Sequence, residues 1–195
     1  MLIESGRILL KPFELAHLRD PVYLSWLHDL EVVKYIGRDE LLQSIPFEDV
    51  ESYVNQLWEN IHCNFFAVHE VGTDKFIGTS KVNFISAKGR KDGIADIGIM
   101  LGDRSFWGRG FATEIIQAIS TFAFDHLQAR KLTAGGYSEN VGIRKAFLKV
   151  GYSVEGILRQ QLSLDESYCD HILMGCFESE LLRPTHTNSY RVFNK

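Results

Sequence analysis

The sequence predicts a mixed α/β (α+β) fold built on a mostly antiparallel sheet. Three observations carry this. Hydrophobic periodicity switches between 2 and 3.6 along the chain, so strands and helices interleave. The inferred order is β-α-α-β-β-β-α-β-α-β-β, with antiparallel pairs in the middle. One β-α-β crossover surrounds a glycine turn at residues 107–112 and implies a single parallel pair.

Residues 6–12 read as a short first strand, and His17 to Ile36 as one or two helices with Trp26, Leu27, Leu30, Val33 and Ile36 at helical spacing. Ser44 to Pro46 starts the next helix, with Glu48 and Asp49 in its first turn. Its stripe is Val50, Tyr53, Val54, Leu57, Trp58 and Ile61. Phe65 to Val71, Phe76 to Ile85 and Ile94 to Leu101 then read as strands, the last two separated by the Lys/Gly-rich stretch Ala87 to Gly93. A central helix at about 109–127 buries Phe111, Ile115, Ala118, Ile119 and Phe122. Lys131 to Gly136 is a strand, and 141–150 a helix with Ile143, Ala146, Phe147 and Val150 inward. Tyr152 to Leu164 and Tyr168 to Phe177 pair around Asp165-Glu-Ser. Residues 1–183 are expected to form one domain, and 184–195 a polar, frayed tail.

Length and composition bound the function. The 195 residues suffice for one sizeable core, and no apolar run is long enough to span a bilayer. The first residues lack a signal-peptide core, so a cytoplasmic address is expected. A net charge of −4 argues against a broad nucleic-acid footprint. Cys63, Cys169 and Cys176 are odd in number and show no C-x-x-C spacing; with no H-E-x-x-H either, no metal site is expected.

The segment Asp103 to Glu114 carries the most chemistry. A strand ending in a glycine turn that starts a helix leaves several N–H groups without intrahelical partners, at the positive end of the helix dipole. Gly108 and Gly110 let the backbone approach a ligand closely. The expected ligand is a phosphate held at residues 107–112. It is not a P-loop, which needs Gly-Lys-Ser/Thr, and G-x-G-x-x-G breaks at Thr113.

Three segments, Ala95-Asp-Ile-Gly-Ile-Met-Leu101, Trp107-Gly-Arg-Gly-Phe-Ala112 and Ser138-Glu-Asn140, together with Gly151-Tyr152, resemble the GNAT superfamily of acyl-CoA N-acyltransferases. The likeness is greatest to its branch of ribosomal-protein N-terminal and amino-sugar acetyltransferases and spans about residues 7–180. Trp107 stands where Gln or Arg is usual. The resemblance implies acetyl-CoA as cosubstrate and a primary amine as acceptor. The diphosphate would lie on Trp107, Gly108, Arg109, Gly110, Phe111, Ala112 and Thr113, with Arg104 or Arg109 adding charge or simply solvated. The pantetheine arm would follow Ile97 to Leu101, hence Ile99, Met100 and Leu101, along a strand that the family's bulge splays from Leu132 to Gly136.

Acyl transfer needs a neutral amine, a donor to the thioester oxygen and a route for a proton to the thiolate. A lysine-type amine of pKa about 10.4 is roughly 0.1% neutral near pH 7.4, whereas one near 8 needs little help. Asp96 is the candidate base, directly or through water, against a purely structural role. Asn140 is the second candidate, against an N-cap of the following helix. The position of the family's proton-donating Tyr is Phe147, and Ile143 replaces a Ser that touches CoA; both read as core. Tyr168 is the replacement proton donor, and period 2 puts it on one strand face with Asp170, opposite Cys169 and His171. Trp26, His28, Glu31, Asn83 and Asp170 would line the acceptor mouth.

The expected function is N-acetylation of a small amine such as an amino sugar or its nucleotide, because an acidic protein would suit a basic ribosomal partner only through a still more acidic mouth. The alternatives are acetylation of a protein N-terminus and a non-catalytic acyl-CoA-binding module. A homodimer stays open.

Overall fold

A computed structural model describes residues 1–37, 45–84, 87–183 and 190–193. A hairpin opens the chain: β1 (Leu2–Ser5) and β2 (Ile8–Pro12) pair antiparallel about Gly6 and Arg7. Gly6 has φ +57°, which a two-residue hairpin turn favours in glycine. The expected single strand at 6–12 is thus split by its own turn.

Three short helices follow, α1 (Leu15–Leu18), α2 (Pro21–Leu27) and α3 (Leu30–Val33). Asp20 caps α2 by accepting from Val22 N at 3.0 Å ahead of Pro21, and Asp29 caps α3 through Glu31 N at 3.0 Å. These caps break the anticipated one or two helices into three. In α4 (Phe47–Glu59) Val50, Val54 and Leu57 are buried. The helix ends before Ile61, which is 89% exposed, and Trp58 is 41% exposed while its Nε1 donates to Phe13 O at 2.8 Å. The expected start signal at Ser44 falls outside the described residues.

The sheet continues through β3 (Cys63–Glu70), β4 (Phe76–Asn83) and β5 (Ile94–Leu101), and the expected separator between the last two contains a helix, α5 (Ala87–Asp92). Then come α6 (Phe111–Asp125), β6 (Lys131–Tyr137), α7 (Val141–Val150), β7 (Ser153–Leu164), β8 (Ser167–Phe177) and β9 (Tyr190–Phe193). The expected end of β4 at Ile85 also falls outside the described residues. The C-terminal stretch does not simply fray: β9 pairs antiparallel with β1, with Val192 opposite Ile3. Strand order is β7-β8-β6-β5-β4-β3-β2-β1-β9.

Helices cover both faces. On one, α6 and α7 bury Phe111, Ile115, Ile119, Phe122, Phe147 and Val150 against β1–β6 and β8. On the other, α1–α4 enclose Phe13, Leu18, Trp26, Val33 and Val54. Burying one such side chain contributes about 1.5–3 kcal/mol.

The functional geometry comes from β5 and β6. They pair in parallel only over Ile94–Asp96 and Lys131–Thr133. Beyond this β5 stays with β4 up to Leu101, and β6 stays with β8 up to Tyr137. The sheet therefore splits into a V. The β4–β5 register runs unbroken from Gly78↔Leu101 to Asn83↔Asp96, so the divergence arises without the register shift that a bulge would impose.

Candidate active site

A cleft of about 320 Å³ opens at the V. Ile97 to Met100 of β5, Gly135 and Gly136 of β6, and Asn140, Ile143 and Phe147 of the α7 region form one side; Tyr23, Leu27, Tyr35, Val50 and Tyr53 from the helical layer form the other. The charged side chains among its lining are Asp49, Lys81 and Asp96.

At the open end of the V, past Leu101, lies the glycine turn. Asp103 builds it, accepting from Ser105 N at 2.9 Å and Ser105 Oγ at 2.7 Å, and pairing with Lys75 Nζ at 2.6 Å. Trp107 Nε1 donates to Leu101 O at 2.8 Å, tying the turn to the end of β5. Gly108 and Gly110 have φ of +69° and +85°, so both need the left-handed region that glycine enters at no steric cost. Among the described residues, none of the amides of Gly108 to Thr113 donates to a protein acceptor, while Glu114 N already bonds Gly110 O. These donors lie at the N-terminus of a 15-residue helix, a position that suits an anion such as a phosphate.

Of the basic residues, Arg109 donates to Ser105 O at 3.2 Å and lies over the Phe106 and Phe111 rings. Arg104 is paired with Asp29 at 3.4 Å and rests over Trp107. Arg7, which no motif indicated, locks the turn in place. Its guanidinium bonds Arg109 O at 2.9 Å and Glu114 Oε1 at 2.6 Å, and its amide donates to Glu114 Oε2 at 3.0 Å.

Asp96 sits at the floor of the cleft, largely buried, and accepts from Thr133 Oγ1 at 3.0 Å across the last paired step of β5 and β6. Burial pushes its carboxyl above the ordinary aspartate value; the Thr133 hydrogen bond, Lys81 and His171 pull partly the other way. Thr133 and Lys81 were not singled out in sequence, and His171 entered only as a residue of the strand face opposite Tyr168 and Asp170. Lys81 is opposite Gly98, two residues along from Asp96, and its Nζ donates to Tyr53 Oη at 3.2 Å.

Asn140 is the cap of α7, its Oδ1 accepting from Ile143 N at 3.3 Å, and the residue also lines the cleft. Ile99 and Met100 also line it, and Phe147 is buried at its edge.

Other candidates lie elsewhere. Tyr168 is 71% exposed on the β7–β8 hairpin, outside the cleft lining. The facing alternation that puts it outside turns His171 inward, so that a Cβ on Gly135 of the cleft wall would meet the His171 ring. Asp170 accepts from Gln160 N at 2.9 Å, holding a bulge in β7. Trp26 is buried, stacked edge-on to Phe76 with centroids 4.8 Å apart, and fills the space left by Gly102. His28 touches Ile45 O at 3.3 Å, Glu31 pairs with Lys34 at 3.0 Å, and Asn83 accepts from Asn60 at 3.4 Å; none of these lines the cleft. The cleft wall supplied by the helical layer carries Tyr23, Tyr35 and Tyr53 instead, of which sequence periodicity indicated Tyr53 alone, as part of a helix stripe.

Among the described residues no helix is long and apolar enough to cross a membrane, and no cluster of three metal-ligating side chains occurs.

The family described as Acetyltransferase (GNAT) domain matches residues 7–153. An uncharacterized N-acetyltransferase, p20, of Bacillus licheniformis is 30% identical over 155 residues, covering 80% of this chain and 84% of that protein. The probable N-acetyltransferase YjcK of Bacillus subtilis is 29% identical over 110 residues, 56% of this chain and 59% of that one. In shape, the chain is similar to the Vibrio cholerae spermidine N-acetyltransferase solved with CoA and spermine, at TM-score 0.77 and 19% identity, covering 89% and 97% of the two chains. It is also similar to the ribosomal L7/L12 α-N-protein acetyltransferase RimL solved with coenzyme A, at TM-score 0.78 and 16% identity, covering 91% and 98%.

Proposed function

The chain belongs to the GNAT acetyltransferase family, and from that premise we propose that its cleft acetylates the primary amine of a small acceptor, an amino sugar or sugar nucleotide, by direct transfer. It is an acetyl-CoA-dependent N-acetyltransferase. The acceptor class and the residue roles are our reading.

The observation that carries the reading is the confined cleft of about 320 Å³ with a largely buried carboxylate on its floor. Such a volume is at the low end for small-molecule sites. Tyr35, Tyr53 and Thr79 supply hydroxyls along the lining, a suitable wall for a polyhydroxylated acceptor.

The amides of Gly108 to Thr113 and the α6 dipole would bind the diphosphate of acetyl-CoA, and the β5 edge beyond Asp96, unpaired toward β6, would bind its amide-bearing arm. When bound, acetyl-CoA supplies an activated acetyl thioester. Asp96 takes the proton of the acceptor amine, directly or through water, and Thr133 holds the carboxylate in orientation. Its raised pKa brings it nearer the amine's own, which suits a base. Asn140 holds the start of α7 at the cleft wall. Phe147 carries no proton, so this helix position provides no acid for the departing thiolate.

Thiol release measured with purified protein, acetyl-CoA and glucosamine, a sugar nucleotide bearing a free amine, spermidine, or a tripeptide with a free α-amine tests the reading. Turnover of the amino-sugar members is expected. Turnover of the tripeptide alone removes the small-acceptor proposal.

A further inference from the structure

We infer that Lys81 recognises the acceptor and selects a small amine that carries a carboxylate or phosphate group close to its reacting nitrogen. The inference rests on the small-acceptor reading above. It starts from where the chain places a cation. Lys81 projects from β4 into the cleft, and its stem lies flat across Gly98: a Cβ there would come within 3.0 Å of Lys81 Cε and 3.2 Å of Cγ. The glycine opposite therefore makes the space in which the lysine lies.

The ammonium is held by Tyr53 Oη at 3.2 Å and sits 5.9 Å from the Tyr53 ring centroid. Among the described residues it forms no ion pair. An ammonium is a triple donor, and one neutral hydroxyl leaves donors unused. A partly buried cation in a cleft with unused donors is a site for an anion.

Position relative to Asp96 sets the geometry of the ligand. Lys81 pairs with Gly98 and Asn83 pairs with Asp96, so Lys81 and Asp96 are diagonal neighbours on one face of the ladder. Diagonal neighbours are about 7–8 Å apart. An acceptor whose nitrogen lies at the Asp96 carboxylate and whose anion lies at the Lys81 ammonium must have the two groups only a few bonds apart. Spermidine-like polycations meet the opposite field, because Lys81 repels a second ammonium at that distance. Asp49, the other charged lining residue, is exposed at the rim and leaves this pairing intact.

Matched acceptors test it: O-phosphoethanolamine against ethanolamine, and serine against serinol, with the tripeptide and spermidine alongside, all read by thiol release. The anionic member of at least one pair should have the higher kcat/KM by about tenfold, the scale of one charge-assisted hydrogen bond; which pair responds separates phosphate from carboxylate recognition. Lys81→Met keeps the stem over Gly98 and should abolish the preference, chiefly through KM, while Lys81→Arg retains most of it. A melting midpoint of Lys81→Met close to that of the parent establishes that it folds. Neutral or polycationic acceptors turned over as well as the anionic ones, or a ratio unchanged in Lys81→Met, overturn the inference and leave the small-acceptor reading standing. Turnover of none of these amines overturns the inference, and turnover of the tripeptide alone in both panels overturns both readings.

Discussion

Asp96 shows at single-residue scale what period-2 alternation can and cannot convey. Alternation placed it on one face with Gly98 and Met100, and that face does line the cleft. What sequence could not reveal is its desolvation or its bond to Thr133, 37 positions away. Both depend on β5 and β6 meeting for three residue pairs and then parting. Tyr168 failed for a related reason: the alternation was right, but it puts Tyr168 on the face of Ile172 and Met174, opposite the cleft face of His171, and past the last pair with β6 that face meets solvent. Asp96→Asn should lower kcat/KM about 100-fold near pH 6.5 and by clearly less near pH 9, where solvent already deprotonates an amine of pKa about 8. A pH–rate profile that keeps its shape in the variant removes Asp96 from the base role. Stability should move oppositely. Burial raises the folded-state pKa of Asp96, so its charge is a burden in the native state at neutral pH. Asp96→Asn should therefore melt higher than the parent at pH 7.5, and this gain should vanish as pH falls below the ordinary aspartate value of about 3.9.

At the scale of one element, the turn leading into α6 was the most legible feature, because its chemistry is local. Glycine spacing, the missing intrahelical acceptors and the apolar stripe all lie within a few residues of one another. The stripe Phe111, Ile115, Ala118, Ile119 and Phe122 is buried throughout. What stays hidden in sequence is Arg7, which reaches the turn from the first hairpin, over a hundred residues away. No periodicity encodes such a contact. Gly110→Ala should show how far the ligand site depends on this backbone. Its φ of +85° is strained for any residue with a Cβ, at about 1–2 kcal/mol, and the added methyl would lie 3.5 Å from Arg7 Nη2. The expected result is a KM for acetyl-CoA raised about tenfold with a smaller change in kcat. Isothermal titration with CoA provides the check; an unchanged affinity means the amides of this turn do not hold the diphosphate.

Across the whole molecule, the order of the longer elements from α4 to β8 was legible because each announces its own period, while the first hairpin turn, the short helix α5, strand β9 and the docking of the helical layer onto the sheet were not. Part of that docking is a chain of ring nitrogens. Glu14 N donates to His17 Nδ1 at 3.0 Å, His17 Nε2 meets His69 Nε2 at 3.2 Å, and His69 Nδ1 meets Asp74 O at 2.8 Å. The first bond makes His17 Nδ1 an acceptor, so the neutral ring carries its proton on Nε2 and donates to His69. His69 then carries its own proton on Nδ1 and donates to Asp74 O. Every ring nitrogen is satisfied when both rings are neutral, and an added proton on either ring breaks a bond. The groups around the pair are Lys11, Glu14, Asp20 and Asp74. Burial is the largest influence on both rings and holds both pKa values below 6.5; on His17 the next is His69 itself, and on His69 it is the opposing Asp74 carbonyl. The linkage sign follows. The unfolded chain takes up protons before the native one, so this contribution is complete above about pH 6.5 and is lost as pH falls from there. Since α1 and β3 carry the two rings, acid should loosen the helical layer that roofs the cleft. Urea unfolding midpoints of the parent should fall between pH 7.5 and 5. His17→Phe keeps a ring among Phe13 and Phe76, 5.5 and 5.3 Å away. It should be less stable at pH 7.5 by about 1–2 kcal/mol, because His69 Nε2 loses its donor, yet show a shallower dependence on pH. Parallel pH dependences in the two proteins would show that the histidine chain does not gate the acid response.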